Sequence, residues 1–269
     1  MQRRDFLAGS TLATFSLLAS RTASAQQSES LQNRYFFDLR VYHFPSEEKQ
    51  QAYEAFLAET GVAALNRAGV QPVGVFNLRA DDNPRLEAGE VGNELYVLLP
   101  HKSSESFLQL PLHLAADAEY QQAGEAILRA PKNDPAFSRY DSTLLLAMKG
   151  FPAVKVPTQA ESRLFELRTY ESHNEERAKN KLEMFTAGEF PIFEKAGMPG
   201  VFFGGAICGE NLPHLTYMVV HESADDVRRN WQAFGQVPEW RELLSEPSYR
   251  DNVSKVVTRF IRPTAASQI

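Results

Sequence analysis

Alternation of apolar and polar residues runs through residues 35–43, where Phe37, Leu39 and Val41 point one way and Asp38, Arg40 and Tyr42 the other. A period of two predicts a strand. Pro45-Ser46 follows, then Glu47-Glu48, and the period changes: Tyr53, Phe56, Leu57, Ala64, Leu65 and Ala68 recur at helical spacing. Ser46 suits an N-cap, the two glutamates suit the positive first turn, and Gly69 suits a left-handed C-terminal residue. Strands are predicted at 73–78 and 95–99 around a loop rich in Asp, Asn, Gly and Pro. A second helical region from Ser104, broken by Pro111, and a last strand at 143–148 complete the series.

The same order then repeats. Phe37-Asp38-Leu39-Arg40-Val41-Tyr42 returns as Phe165-Glu166-Leu167-Arg168-Thr169-Tyr170. In the same register Glu47-Glu48 matches Glu175-Glu176, Arg67-Ala68-Gly69 matches Lys195-Ala196-Gly197, and Val73 matches Val201. With a shorter offset, Tyr96-Val97-Leu98-Leu99 aligns with Tyr217-Met218-Val219-Val220. The second copy predicts a strand at 163–171, a helix at 175–196, strands at 200–207 and 215–221, a helical region from Ala224 broken at Pro238, and a strand at 255–261. Each copy is a β-α-β-β-α-β unit, the ferredoxin-like arrangement. The expected fold class is therefore α+β: two tandem ferredoxin-like repeats, residues 26–150 and 163–269, joined by a linker at 151–162. Each unit would have helices on one sheet face only. Two units in one chain can shield the bare faces by packing them sheet to sheet, as an intrachain barrel.

That arrangement assigns the faces of the first strands. With the apolar set under the helices, Asp38, Arg40 and Tyr42, and likewise Glu166, Arg168 and Tyr170, would face the space between the repeats. A buried charge needs a partner. Two readings stay open: Asp38–Arg40 and Glu166–Arg168 lock the docking of the repeats, or the six residues form a polar pocket. Arginine would supply a planar fork for an anion and tyrosine a hydroxyl.

The repeated Phe-[Asp/Glu]-Leu-Arg-x-Tyr strand, the acidic helix start and the helix ending in Ala-Gly resemble the NIPSNAP family, as two tandem copies over nearly the whole mature chain. The resemblance implies a dimeric α+β-barrel fold built within one chain. It also implies kinship with a superfamily of cofactor-independent monooxygenases, muconolactone isomerase-like enzymes and haem proteins. NIPSNAP proteins have no well-established shared catalytic residues, so none is carried over, and many are interaction or signalling proteins.

The N-terminus changes the expected address. Arg3-Arg4 precedes Phe6-Leu7, an apolar stretch runs from Leu7 to Ala19, and Ala23-Ser24-Ala25 offers a small-x-small cleavage site. This is the order of a bacterial signal peptide, and the paired arginines resemble the twin-arginine form. Residues 1–25 are read as a signal peptide for export to the periplasm, too short to span a bilayer, with no stable membrane anchor.

Composition adds exclusions. Of the 269 residues, 43% are hydrophobic and 23% charged, ordinary for a globular protein, and the net charge of −6 carries no footprint for nucleic acid. The histidines 43, 101, 113, 173, 214 and 221 are scattered and cysteine ligands are absent, so no metal and no cofactor is expected; a haem, which needs a single histidine, stays open. Cys208 reads as a small buried apolar residue. Gly204-Gly205 reads as a bulge or close approach, and Trp231, Phe234, Trp240 and Tyr249 as core aromatics, with ligand stacking the lesser alternative. A small-molecule ligand is the expected partner, with a homo-oligomer allowed. Three readings follow: an exported binder of a small anionic or carbonyl-bearing molecule between the repeats; a cofactor-independent oxygenase or isomerase using Tyr42 or Tyr170; or an interaction scaffold.

Overall fold

The computed structural model describes residues 33–86 and 92–269; the expected signal peptide lies outside them. In the first repeat, β1 (Phe36–His43) leads into α1 (Glu47–Phe56), a wide π turn (Leu57–Gly61) and α2 (Val62–Arg67). Then come β2 (Gly74–Leu78), β3 (Glu94–His101), α3 (Ser104–Ala116), α4 (Ala118–Ala123), α5 (Glu125–Leu128) and β4 (Arg139–Ala147). The second repeat has β5 (Leu164–Glu171), α6 (Glu175–Met184), a π turn (Phe185–Glu189), α7 (Phe190–Lys195), β6 (Gly200–Cys208), β7 (His214–His221), α8 (Asp226–Gln236), α9 (Pro238–Ser245) and β8 (Lys255–Pro263). Local chemistry sets the ends. The Ser46 and Asn174 side chains cap the first helices by accepting from the N–H groups of Lys49 and Arg177. Gly69 and Gly197 take the left-handed conformation after them, at φ +83° and +78°. The later helix of the first repeat runs through Pro111 and breaks at Asp117 instead, whose carboxylate caps α4. In the second repeat the break falls at Val237-Pro238 as expected.

The eight strands close one antiparallel barrel in the order β1-β3-β2-β8-β5-β7-β6-β4. Each repeat contributes a ferredoxin-like sheet. The repeats meet edge to edge, through β2–β8 and β4–β6, so no sheet edge is left at either seam. At the β4–β6 seam the register shifts at Leu144/Leu145, and Gly204 lets the strands close up: a Cβ there would lie 2.8 Å from that of Leu145.

Barrel closure reverses the expected strand faces. Phe37, Leu39, Phe165 and Leu167 point into the barrel, packed with Phe76, Phe202, Met218 and Ile261. Asp38, Arg40, Tyr42 and their counterparts point outward, into the layers between sheet and helices. Alternation fixes that two sets exist, not which is inside. A closed barrel has few ways to satisfy polar groups at its centre, whereas the helix layer supplies hydroxyl, imidazole and indole donors. The strand register also corrects the alignment of the repeats. Asp38 stands opposite Leu99 and Glu166 opposite Val219, so Val97, not Tyr96, corresponds to Tyr217. The one-residue difference puts Tyr96 inside the barrel and Tyr217 outside it. Cys208, expected in the core, is exposed at the end of β6.

Candidate functional site

The two outward-facing triplets are equivalent in backbone position and differ in what holds them. In the first repeat Asp38, fully buried, accepts from Arg40 Nε at 2.7 Å and from Ser142 Oγ at 2.6 Å. Arg40 Nη1 reaches the Tyr42 hydroxyl at 3.4 Å, and the ring of Tyr140 lies 5.2 Å from the guanidinium. This is a closed lock. His101 sits behind it with Nδ1 3.1 Å from Ser106 Oγ, its buried Nε2 without a partner, and its pKa pushed down to about 4 by burial.

In the second repeat the acid is spent elsewhere. Glu166 Oε2 accepts from Trp231 Nε1 at 2.7 Å and from His221 Nε2 at 3.0 Å. His221 Nδ1 lies 3.1 Å from Asn230 Nδ2, which also donates to the Gly197 carbonyl at 2.9 Å. An amide donor on Nδ1 leaves the proton on Nε2, so a neutral imidazole donates to Glu166. Glu166 then offers Arg168 only its other oxygen, at 3.5 Å from Nη1. The Arg168 guanidinium carbon lies over the indole of Trp231, 4.4 Å from its centre, and 5.3 Å from the centre of the Tyr170 ring. Its buried Nε–H meets no acceptor among the described residues. Trp231 and Asn230 carry this difference between the repeats: the C-caps Asp117 and Val237 align α3 with α8, which puts Pro111 and Leu110 at the corresponding places.

Beside Arg168 opens a cavity of about 800 Å³. Its floor is the outer face of β5 and β8, with Leu164, Glu166, Arg168, Thr258 and Phe260. One wall is α8, with Val227, Arg228, Trp231 and Gln232. The other is the segment 81–86 of the first repeat. That wall is pinned to the second repeat. Asn83 Nδ2 donates to the Phe260 carbonyl at 2.7 Å and its Oδ1 accepts from the Phe260 N–H at 2.9 Å, while Asp82 takes a two-point contact from Arg262 at 2.7 and 2.6 Å. One repeat thus walls the site of the other. The extra length of this Asp- and Asn-rich loop over its counterpart was the visible sign of it; its docking on β8 was not legible.

Behind Arg168 lies a second polar layer peculiar to this repeat. Tyr170 and Tyr217 share a hydrogen bond of 2.8 Å, and burial pushes Tyr170 up to about 12. Lys181 and Glu189 pair at 2.9 Å with almost no exposure, the ammonium resting 4.8 Å from the Phe185 ring. Burial raises the Glu189 carboxyl above the usual range. In the first repeat the equivalent places, in the shared register of the first helices, hold Tyr53 and Gly61.

Of the six predicted residues, Glu166 and Arg168 line the large cavity. Tyr170 lies behind it, and Asp38, Arg40 and Tyr42 form the closed lock. They do not converge from both repeats, because the barrel wall separates them. A smaller cavity of about 580 Å³ does lie between the repeats, at one barrel mouth, but Thr143, Thr169, Thr216 and Arg259 line it rather than the triplets. Among the described residues no group of His, Cys, Asp and Glu is arranged to hold a metal, and no helix is long and apolar enough to cross a membrane.

The NIPSNAP family matches residues 165–268, the second repeat. Among solved structures, the chain is similar to a proposed monooxygenase from Lactobacillus acidophilus (10% identity, TM-score 0.55, covering 86% of this chain and 94% of that one). It is similar to another from Fusobacterium nucleatum (10%, 0.54, 86% and 92%) and to an anthrone oxidase-like protein (9%, 0.50, 86% and 92%). At such identities the likeness is one of fold: a tandem dimeric α+β barrel. Comparison with curated proteins returns no match.

Proposed function

We propose, for a tandem barrel whose second repeat is NIPSNAP-like, that this repeat binds a small molecule with a flat apolar body and a carbonyl, enolate or carboxylate oxygen. The site lies under α8, outside the barrel, rather than between the sheets. One observation carries the reading: Arg168 is a largely buried guanidinium beside a cavity of about 800 Å³, its Nε–H meets no acceptor among the described residues, and its nearest carboxylate oxygen, Glu166 Oε1, stands 3.5 Å from Nη1. A buried donor left unmet costs about 1–3 kcal/mol, and a hydrogen bond to a charged group returns roughly 1.5–3 kcal/mol. A ligand oxygen accepting from the Arg168 Nη groups supplies such a charged hydrogen bond, while Trp231, Val227, Phe260 and Leu164 shield an apolar ring. Native mass spectrometry of protein purified from cells tests it. Wild type should carry a small-molecule adduct that Arg168→Gln lacks. An adduct equally abundant on the variant contradicts the reading.

The oxygenase or isomerase reading needs an acid–base group at the ligand. The fold of the similar monooxygenases keeps it in view. Tyr170, its candidate here, spends its hydroxyl on Tyr217 and does not line the cavity, which counts against that role. The interaction-scaffold reading has in its favour Leu108 and Leu112, two exposed leucines on one face of α3.

The reading also includes export. Arg3-Arg4, the apolar run and Ala23-Ser24-Ala25 support a periplasmic address by the twin-arginine route. Replacing both arginines by lysine in a fusion of residues 1–25 to a folded reporter should abolish export; unchanged export contradicts that route.

A further inference from the structure

The cavity beside Arg168 has two ends of different character, and this bears on what fits it. The inner end is Arg168 beneath Trp231. The outer end is a rim where Arg228, from α8, and Arg85, from the first repeat, line the cavity and are exposed, with no carboxylate paired to either among the described residues. Of the acids lining the cavity among the described residues, Asp82 is held by Arg262 and Glu166 by Trp231 and His221, which leaves Asp81 uncommitted. Two exposed guanidiniums against that one carboxylate make the described rim net cationic. Arg228 precedes Trp231 by three residues on the same helix face, so the two ends stand roughly 5 Å apart along the helix axis, lengthened by the arginine's own reach. The uncharged lining is mainly apolar, with Val227, Leu86, Leu164 and Phe260, joined by Thr258, Gln232 and Asn83. The first repeat has none of this; Leu108, largely exposed, stands where α8 has Arg228.

We infer that the ligand is two-ended: a flat hydrocarbon body with a carbonyl or phenolic oxygen seated at Arg168 and an anionic group, such as a carboxylate, at Arg228 and Arg85. The inference rests on the pocket reading above and adds to it the second anchor. The inner contact is shielded and sets orientation. The outer one is solvated, so its contribution falls as salt rises, while the inner one persists.

Three related probes separate the parts: 2-naphthol, 2-naphthoate and 6-hydroxy-2-naphthoate, titrated calorimetrically into the full chain at low and at 0.5 M salt. The two-ended compound should bind at least tenfold more tightly than either one-ended compound. The double variant Arg85→Gln/Arg228→Gln should erase that advantage while leaving 2-naphthol unchanged, and high salt should mimic it. Arg168→Gln should weaken all three. Equal binding of 2-naphthol and 6-hydroxy-2-naphthoate by wild type, or an advantage that survives in the double variant, overturns the second anchor and leaves the pocket standing. No binding of any probe at millimolar concentration overturns the pocket reading, and the second anchor with it.

Discussion

Arg40 and Arg168 stand at the same place in two copies of one strand, and their surroundings send them to different tasks. Arg40 neutralises a carboxylate with no exposure of its own, so removing it strands Asp38 as a buried charge. We expect Arg40→Met to destabilise the protein by about 3–5 kcal/mol. Glu166 keeps Trp231 and His221 when Arg168 goes, and the under-bonded guanidinium goes with it, so Arg168→Met should shift stability by no more than about 1 kcal/mol. Urea unfolding of the two variants measures both; equal losses would contradict the asymmetry. His101 adds a pH dependence. Its imidazole titrates near 6.5 when unfolded and near 4 when folded, so between these values the unfolded chain takes up a proton that the native state refuses. Stability should fall as pH drops from 6.5 towards 4, and the fall should be shallower in His101→Gln. The residue types were legible in the sequence: the acid, the arginine and the tyrosine were singled out in both copies. Which arginine is left under-bonded was not, because it depends on Trp231 and His221 reaching Glu166 from elements far away in the chain.

At the scale of elements, alternation and helical period placed the strands and helices, and Ser46, Gly69 and the Val237-Pro238 break behaved as their chemistry predicts. The inside and outside of each strand could not be read this way, since a strand with one apolar and one mixed face suits either orientation until the barrel closes. Pro111 misled for a different reason: helix α3 accommodates it, and Asp117 ends the helix instead. The π turn of the second repeat brings Glu189 over Lys181 in a site with almost no solvent exposure, where an ion pair survives only while both members are present. Lys181→Met should cost about 3 kcal/mol or more, and adding Glu189→Leu should restore most of it. Thermal unfolding of the single and double variants reads the pair; a double variant less stable than the single would show that the charges contribute more than they cost.

At the largest scale, the strands of the two repeats close into one barrel over residues 34–269. The repeat and its βαββαβ order were plain in the sequence. The edge-to-edge closure was not, because backbone pairing at the β2–β8 and β4–β6 seams leaves no residue pattern of its own. Across the first seam Phe76 meets Phe165 with ring centres 4.9 Å apart. Phe76→Ala should destabilise the protein by about 3–5 kcal/mol. Both tryptophans, Trp231 and Trp240, lie in the second repeat while Phe76 lies in the first. Tryptophan fluorescence and far-ultraviolet circular dichroism should nonetheless shift together in one transition; separate transitions would mean that the repeats unfold independently.

Barrel closure also puts the candidate site on the outside of the wall, under the second repeat's helix α8, with no counterpart cavity expected beside Arg40. A crystal soaked with 2-naphthol tests this most directly. The ring should lie between α8 and the β5–β8 face, with its oxygen at Arg168 and no second molecule beside Arg40. A ring seated in the barrel mouth against Thr169 and Thr216, or one bound equally under both repeats, would contradict the assignment.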